Sequence, residues 1–162
     1  MVGHHDKARK GTVTKHEVTA WLEQWGYEGS VDDCLREWFE ADSTLNHEML
    51  ELASQLRQRG VPCHLASTQE RHRAAYLEQD LGFADRFERR FFSYQLGVRK
   101  PDPEFYRRVT EELGVLPSSL LFLDDQAANV AAARDAGWYA EVYARGDELA
   151  ALLEKHVIVA AP

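Results

Sequence analysis

A change of rhythm at residue 61 constrains this 162-residue chain more than any other feature. From there on, short apolar runs alternate with segments of helical spacing. Val61-Pro62-Cys63-His64-Leu65-Ala66 reads as a buried strand, followed by a helix from about Gln69 to Gln79. Phe91-Phe92-Ser93 is a short strand, and Asp102-Pro103 opens a helix with proline at its first position. That helix carries Phe105, Tyr106, Val109 and Leu113 and closes at Gly114. Leu120-Leu121-Phe122-Leu123-Asp124 is a strand ending in carboxylates, Ala127–Ala136 a helix stopping at Gly137, and Tyr139–Tyr143 a last strand before a helix near 147–155. Strands joined by helical crossovers predict a parallel sheet with helices on both faces. The expected class is α/β.

The part in front of residue 61 reads as all helix. Thr14-Lys15-His16-Glu17 has the form of a capping box, with Val18, Trp21, Leu22 and Trp25 on one face and Gly26 closing the segment. Ser30 and Asp33 open a second helix bearing Leu35, Trp38 and Phe39. A third, at about 45–59, sets Leu45, Met49, Leu52, Ala53 and Leu56 on one stripe and ends at Gly60. The expected organisation is a tail at 1–13, a helical cap segment at 14–42, an α/β core at 43–156 and a C-terminal tail at 157–162. Apolar residues at 44% and charged residues at 28% fit a globular protein rather than general disorder. A net charge of −8 without a basic stripe argues against nucleic acid, and no apolar run reaches membrane-spanning length. Two cysteines, Cys34 and Cys63, make no disulfide framework, so a cytoplasmic setting is expected.

In an open parallel sheet, ligands gather beyond the carboxyl ends of the strands. Three such ends stand out. The first runs into Ser67-Thr68 before a helix; their hydroxyls and the open amides of the helix start would cradle an anion, or simply cap the helix. The second is Arg99-Lys100-Pro101-Asp102-Pro103, a proline-stiffened loop whose lysine can be aimed at a phosphoryl group or a carboxylate. The third is Asp124-Asp125: adjacent carboxylates repel, and a hard cation such as Mg²⁺ is the natural counter-charge, unless one aspartate caps and the other is merely exposed. Asn129, one helical turn later, is placed to hydrogen-bond back to the pair.

Taken together, these ends resemble the motifs of the haloacid dehalogenase-like (HAD) hydrolase superfamily. Ser67 in Leu65-Ala66-Ser67-Thr68-Gln69 is similar to its second motif, and Lys100 in Gly97-Val98-Arg99-Lys100-Pro101-Asp102-Pro103 to its third. Leu123-Asp124-Asp125 with Asn129 and the following Ala131-Ala132-Ala133-Arg134-Asp135-Ala136-Gly137-Trp138 resembles the fourth. The helices around Trp25-Gly26-Tyr27 and Trp38-Phe39 resemble the small cap that follows the family's first strand. The likeness covers roughly residues 12–145. It implies a Rossmann-like core and a Mg²⁺-dependent phosphatase or dehalogenase acting through an aspartyl intermediate. On that pattern Ser67, Thr68 and Lys100 hold a phosphoryl group of a small metabolite, Lys100 acts in catalysis, and Asp125 with Asp124 binds the metal.

The same resemblance exposes a gap. The family's first strand is an apolar run ending Asp-x-Asp, which supplies nucleophile and acid/base; before Trp21 this chain has only Asp6, in a polar stretch. The expectation is therefore a truncated member without its central strand, inactive by itself and holding Mg²⁺ weakly. The alternative is a non-catalytic ligand- or partner-binding domain or a gene remnant. In the family that strand lies between the counterparts of 61–66 and 120–124, which would have to pair directly, be completed by another copy through an exposed sheet edge, or borrow Val157-Ile158-Val159-Ala160.

Remaining residues carry plainer expectations. Trp21, Trp25, Trp38 and Phe39 recur at helical spacing and read as core, with Trp38 a side candidate for closing over substrate. Arg71, His72 and Arg73 crowd the first turn of a helix, where positive charge is unfavourable unless an anion sits nearby. Cys63 reads as a buried small residue, His64 as making a structural hydrogen bond, and His4-His5 as part of a tail.

Overall fold

The computed structural model describes residues 15–144 together with Leu149, Leu152 and Leu153. In chain order the elements are α1 (Lys15–Gln24), α2 (Val31–Asp42), α3 (His47–Gln58), β1 (His64–Ser67), α4 (Arg71–Gln79), α5 (Phe83–Arg86), β2 (Arg89–Phe92), α6 (Ser93–Leu96), α7 (Pro103–Leu113), a 3₁₀ turn (Pro117–Ser119), β3 (Leu121–Asp124), α8 (Ala127–Asp135) and β4 (Tyr139–Val142). The Thr14 cap, His4-His5, the helix near 147–155 and the 157–162 tail lie outside the described residues, save the buried Leu149 and the half-buried Leu152 and Leu153. Among the described residues no helix is long and apolar enough to cross a membrane.

The fold is α/β and mostly helical, with two small parallel sheets. β1 pairs with β2 in the register His64↔Arg89 to Ser67↔Phe92, and β3 with β4 in the register Leu121↔Tyr139 to Asp124↔Val142. Within each sheet the two strands are parallel and joined by a helical crossover, as in βαβ units. Direct pairing of the 61–66 strand with the 120–124 strand is not formed among the described residues. The chain divides into two compact units, residues up to 45 with 64–97, and 46–63 with those from 98 on. α3 groups with the second unit, whereas 64–97, within the expected 43–156 core, group with the leading helices.

In the first unit, Ser30 caps α2 by accepting from the Asp33 amide at 3.1 Å, while its hydroxyl donates to the Asp33 carboxylate at 2.6 Å. Leu35 and Phe39 of α2 pack with Tyr76 of α4; Ala74 and Leu77 meet Phe92. The tryptophans do not join this core. Trp21, Trp25 and Trp38 are 57%, 74% and 63% exposed, and of the aromatic set only Phe39 is buried. The buried stripes of α1 and α2 are narrower than the spacing suggested, carrying Leu22, Leu35 and Phe39 while the indoles fall on their flanks. The strand expected at 61–66 is also shifted: it begins at His64, is half-buried throughout, and leaves Cys63 half-buried in the preceding loop.

In the second unit, Asn46 caps α3 by accepting from the Met49 amide at 3.1 Å. Asp102 caps α7 through the Glu104 amide at 2.9 Å with Pro103 at the first position, which buries Phe105, Tyr106 and Val109 on one face. Tyr106 meets Phe122 of β3 and Trp138 edge-on, and Val130 and Ala133 of α8 are buried as well. α8 stops where it does because Gly137 sits at φ +87°, and a Cβ there would lie 3.2 Å from Pro117 Cβ.

Candidate active site

The loop carrying Lys100 is fixed from both sides. The Asp102 amide donates to the Arg99 carbonyl at 2.9 Å, closing a turn, and the Lys100–Pro101 peptide is cis. The Lys100 side chain is 8% exposed; its Nζ lies 2.6 Å from Asp124 Oδ2 and 5.1 Å from the Phe122 ring centroid. Asp124, at the end of β3 and 7% exposed in its side chain, uses its other oxygen as well. Oδ1 accepts from the Gln126 amide at 2.9 Å and from Asn129 Nδ2 at 2.8 Å. A buried ion pair persists only where the remaining lone pairs are also satisfied, and this one meets that condition. The positive charge that adjacent aspartates require is therefore supplied to Asp124 by a lysine. Asp125 turns to solvent, so the pair divides into one buried and one exposed carboxylate.

Asn129 is buried, and its own carbonyl accepts from the Tyr106 hydroxyl at 2.8 Å. Tyr106 is wholly buried; burial first, then the Asp124 charge, pushes its hydroxyl well above the ordinary tyrosine range, so it remains a donor. Sequence reasoning named Tyr106 only as one of the residues this helix carries and missed this bond. The available signal was chemical: a buried tyrosine needs a partner for its hydroxyl.

Ser67 and Thr68 lie in the other unit, half-buried at the end of β1, with Gln69 Nε2 3.3 Å from Ser67 Oγ. Neither caps α4. That part falls to Glu70, whose carboxylate accepts from the His72 amide at 2.7 Å and from the Arg73 amide. The amides expected to cradle an anion are thus already taken by an internal one, which also answers the cationic first turn. Arg73 itself donates to the Phe39 carbonyl at 2.9 Å and lies over the Phe39 and Tyr76 rings. His64 does not make its expected hydrogen bond: its buried Nδ1 has no partner, and burial lowers its pKa.

The donor set suits a divalent cation only in part. Mg²⁺ keeps several waters and takes one or two carboxylates. Asp125 offers one, Asp124 has both oxygens engaged, and among the described residues no three His, Cys, Asp or Glu side chains are grouped.

A family model described as haloacid dehalogenase-like hydrolase matches residues 4–137. The chain belongs to that family. Among curated relatives, flavin mononucleotide hydrolase 1 of Arabidopsis thaliana is 43% identical over 60 residues, 37% of this chain and 24% of its own length. Phosphoglycolate phosphatase of Pectobacterium atrosepticum is 33% identical over 98 residues, 60% of this chain and 42% of its own. The HAD chain thus spans less than half the length of these relatives. In structure, a HAD family enzyme from Bacteroides thetaiotaomicron aligns with TM-score 0.80 at 23% identity, over 94% of this chain and 78% of that one. The same enzyme, solved in complex with magnesium and inorganic phosphate, aligns with TM-score 0.76 at 23% identity over 90% and 77%. At such identity the likeness shows a shared HAD fold.

Proposed function

We infer that this chain carries the lysine–aspartate part of a phosphatase-type HAD site, whose ligand is a small phosphorylated molecule bound with Mg²⁺. The observation that carries this reading is the buried Lys100–Asp124 pair with Asp125 exposed beside it. The phosphatase names of the relatives, and the magnesium and phosphate of the Bacteroides enzyme, support it.

Each residue then has a definite task. Lys100, held by Asp124, presents a fixed ammonium that stabilises negative charge on phosphoryl oxygens. On the family's pattern, Ser67 and Thr68 supply hydroxyl donors to a phosphoryl group. Asp125 provides the outward carboxylate for the metal, whose contribution when bound is charge neutralisation. Asp124 serves the lysine and not the metal. The family's covalent step needs an aspartate nucleophile with a second aspartate two residues on, and no Asp-x-Asp occurs in these 162 residues. By itself, then, the chain binds without turning over. This gap also favours the second reading, a non-catalytic HAD-like domain that holds a ligand or partner.

Calorimetric titration with inorganic phosphate and MgCl₂, beside a p-nitrophenyl phosphate assay, tests the reading. Expected are phosphate binding that weakens about tenfold in Ser67→Ala, consistent with loss of a charge-assisted hydrogen bond, Mg²⁺ binding weaker than micromolar that is lost in Asp125→Asn, and no phosphate release. Absence of phosphate binding would defeat the site assignment. Release that disappears in Asp125→Asn would defeat the claim of inactivity.

A further inference from the structure

The geometry points to Tyr106 as a positioning residue: its hydroxyl acts through Asn129 to fix the Asp124 carboxylate and, with it, the Lys100 ammonium. The chain of contacts is short and buried. Tyr106 Oη donates to the Asn129 carbonyl at 2.8 Å, Asn129 Nδ2 donates to Asp124 Oδ1 at 2.8 Å, and Lys100 Nζ donates to Asp124 Oδ2 at 2.6 Å.

The tyrosine is in turn held rigidly. Its ring meets Phe105, Phe122 and Trp138 edge-on, with centroids 5.6, 6.0 and 5.2 Å away, so the ring has no room to rotate out. Its carbonyl accepts from Thr110 Oγ1 at 2.9 Å, and that hydroxyl accepts from Trp138 Nε1 at 2.9 Å. A phenylalanine would fill the same space. A hydroxyl in an apolar ring cluster is unfavourable unless it is paired, so its presence is explained by the bond it makes. Asn129 is the third residue of α8, and its carbonyl has a second lone pair free for a bond from outside the helix. The hydroxyl therefore ties the first turn of α8 to α7, and the Asn129 amide reaches Asp124 from a fixed base. Tyr106 does not touch the phosphoryl site; it acts at one remove.

Two readouts that do not depend on turnover test this. One is the acetylation rate of Lys100 Nζ by acetic anhydride, followed by peptide mass spectrometry. The other is hydrogen exchange of the Asn129 side-chain amide. In Tyr106→Phe, which keeps the ring, both should rise about fivefold, consistent with loss of one buried hydrogen bond. Backbone exchange at Val109 and Phe122 should stay as in the wild type. Val109→Ala, which loosens the buried face of α7 but spares the hydroxyl and the rings around it, should leave Lys100 labelling unchanged. Tyr106→Phe added to Asn129→Ala should label no faster than Asn129→Ala alone. Wild-type labelling in Tyr106→Phe, equal acceleration in Val109→Ala, or additivity in the double variant would each overturn the proposal. One clause of it rests on the phosphate reading: phosphate affinity should fall in Tyr106→Phe. A wild-type chain that binds no phosphate while the labelling results hold would sink that reading and leave the positioning role standing.

Discussion

Replacing Lys100 by Met should be among the most damaging single changes in the second unit. Methionine fills a similar volume but leaves the Asp124 carboxylate, 7% exposed, with no cation on Oδ2. Removing one partner of a buried pair strands the other charge, at about 3–5 kcal/mol, against about 0–1 kcal/mol for an exposed pair. With a urea dependence of about 2 kcal/mol per molar, the unfolding midpoint should fall by roughly 2 M. The assay has a natural reporter. Trp138 is buried in the second unit, whereas the exposed Trp21, Trp25 and Trp38 all lie in the first, so changing those three to Phe leaves one indole that follows the unit of interest. Asn at 124 would keep an oxygen for the Gln126 amide and the Asn129 side chain. Lys100→Met with Asp124→Asn should therefore recover more than half of the loss. A midpoint shift below about 0.5 M for Lys100→Met, the size expected of a surface pair, would refute the reasoning.

Three further outcomes are expected. Glu70→Ala removes the carboxylate that accepts from the His72 and Arg73 amides and should destabilise the first unit by about 1–2 kcal/mol in urea unfolding followed by circular dichroism. Half-buried His64, whose Nδ1 has no hydrogen-bond partner, has a pKa lowered first by burial, so the unfolded chain binds its proton more readily than the folded one. First-unit stability should be full above the ordinary histidine pKa of about 6.5 and decline as pH falls below it, and His64→Phe should remove that component of the slope. Gly137→Ala combines a left-handed φ with a 3.2 Å approach to Pro117 and should lower the second unit's thermal midpoint by several degrees, consistent with about 1–2 kcal/mol.

The local elements were legible because they are written in local chemistry. The Asp102-Pro103 start, the Phe105/Tyr106/Val109 face and the stop at Gly137 follow from capping, periodicity and backbone freedom, and each appears within a residue or two of its expected place. What failed was whatever depended on distant neighbours. Trp21 and Trp25 share a helix face with Val18 and Leu22 in projection, yet whether a residue is covered depends on what packs there: Leu22 is buried and Val18 half-buried, while both indoles are exposed. The α4 start misled for another reason: Ser67 and Thr68 are better cap formers than glutamate, but the helix begins three residues after Thr68, where Glu70 alone is in reach.

The Asp124-Asp125 step shows why even a specific motif leaves roles undivided. Spacing alone makes the two aspartates equivalent, and both could be offered to a metal. They separate only when the strand's last side chain is carried inward toward Lys100 and its neighbour outward to water, as successive residues at a strand end must be. The inward carboxylate receives three hydrogen bonds, and one of these comes from a cation. A divalent ion drawn to it would compete with the lysine. The outward one can take a cation without disturbing anything buried. One adjacent pair thus yields a carboxylate that holds a buried lysine and a carboxylate open to water, because the pleat turns the two acids to opposite sides.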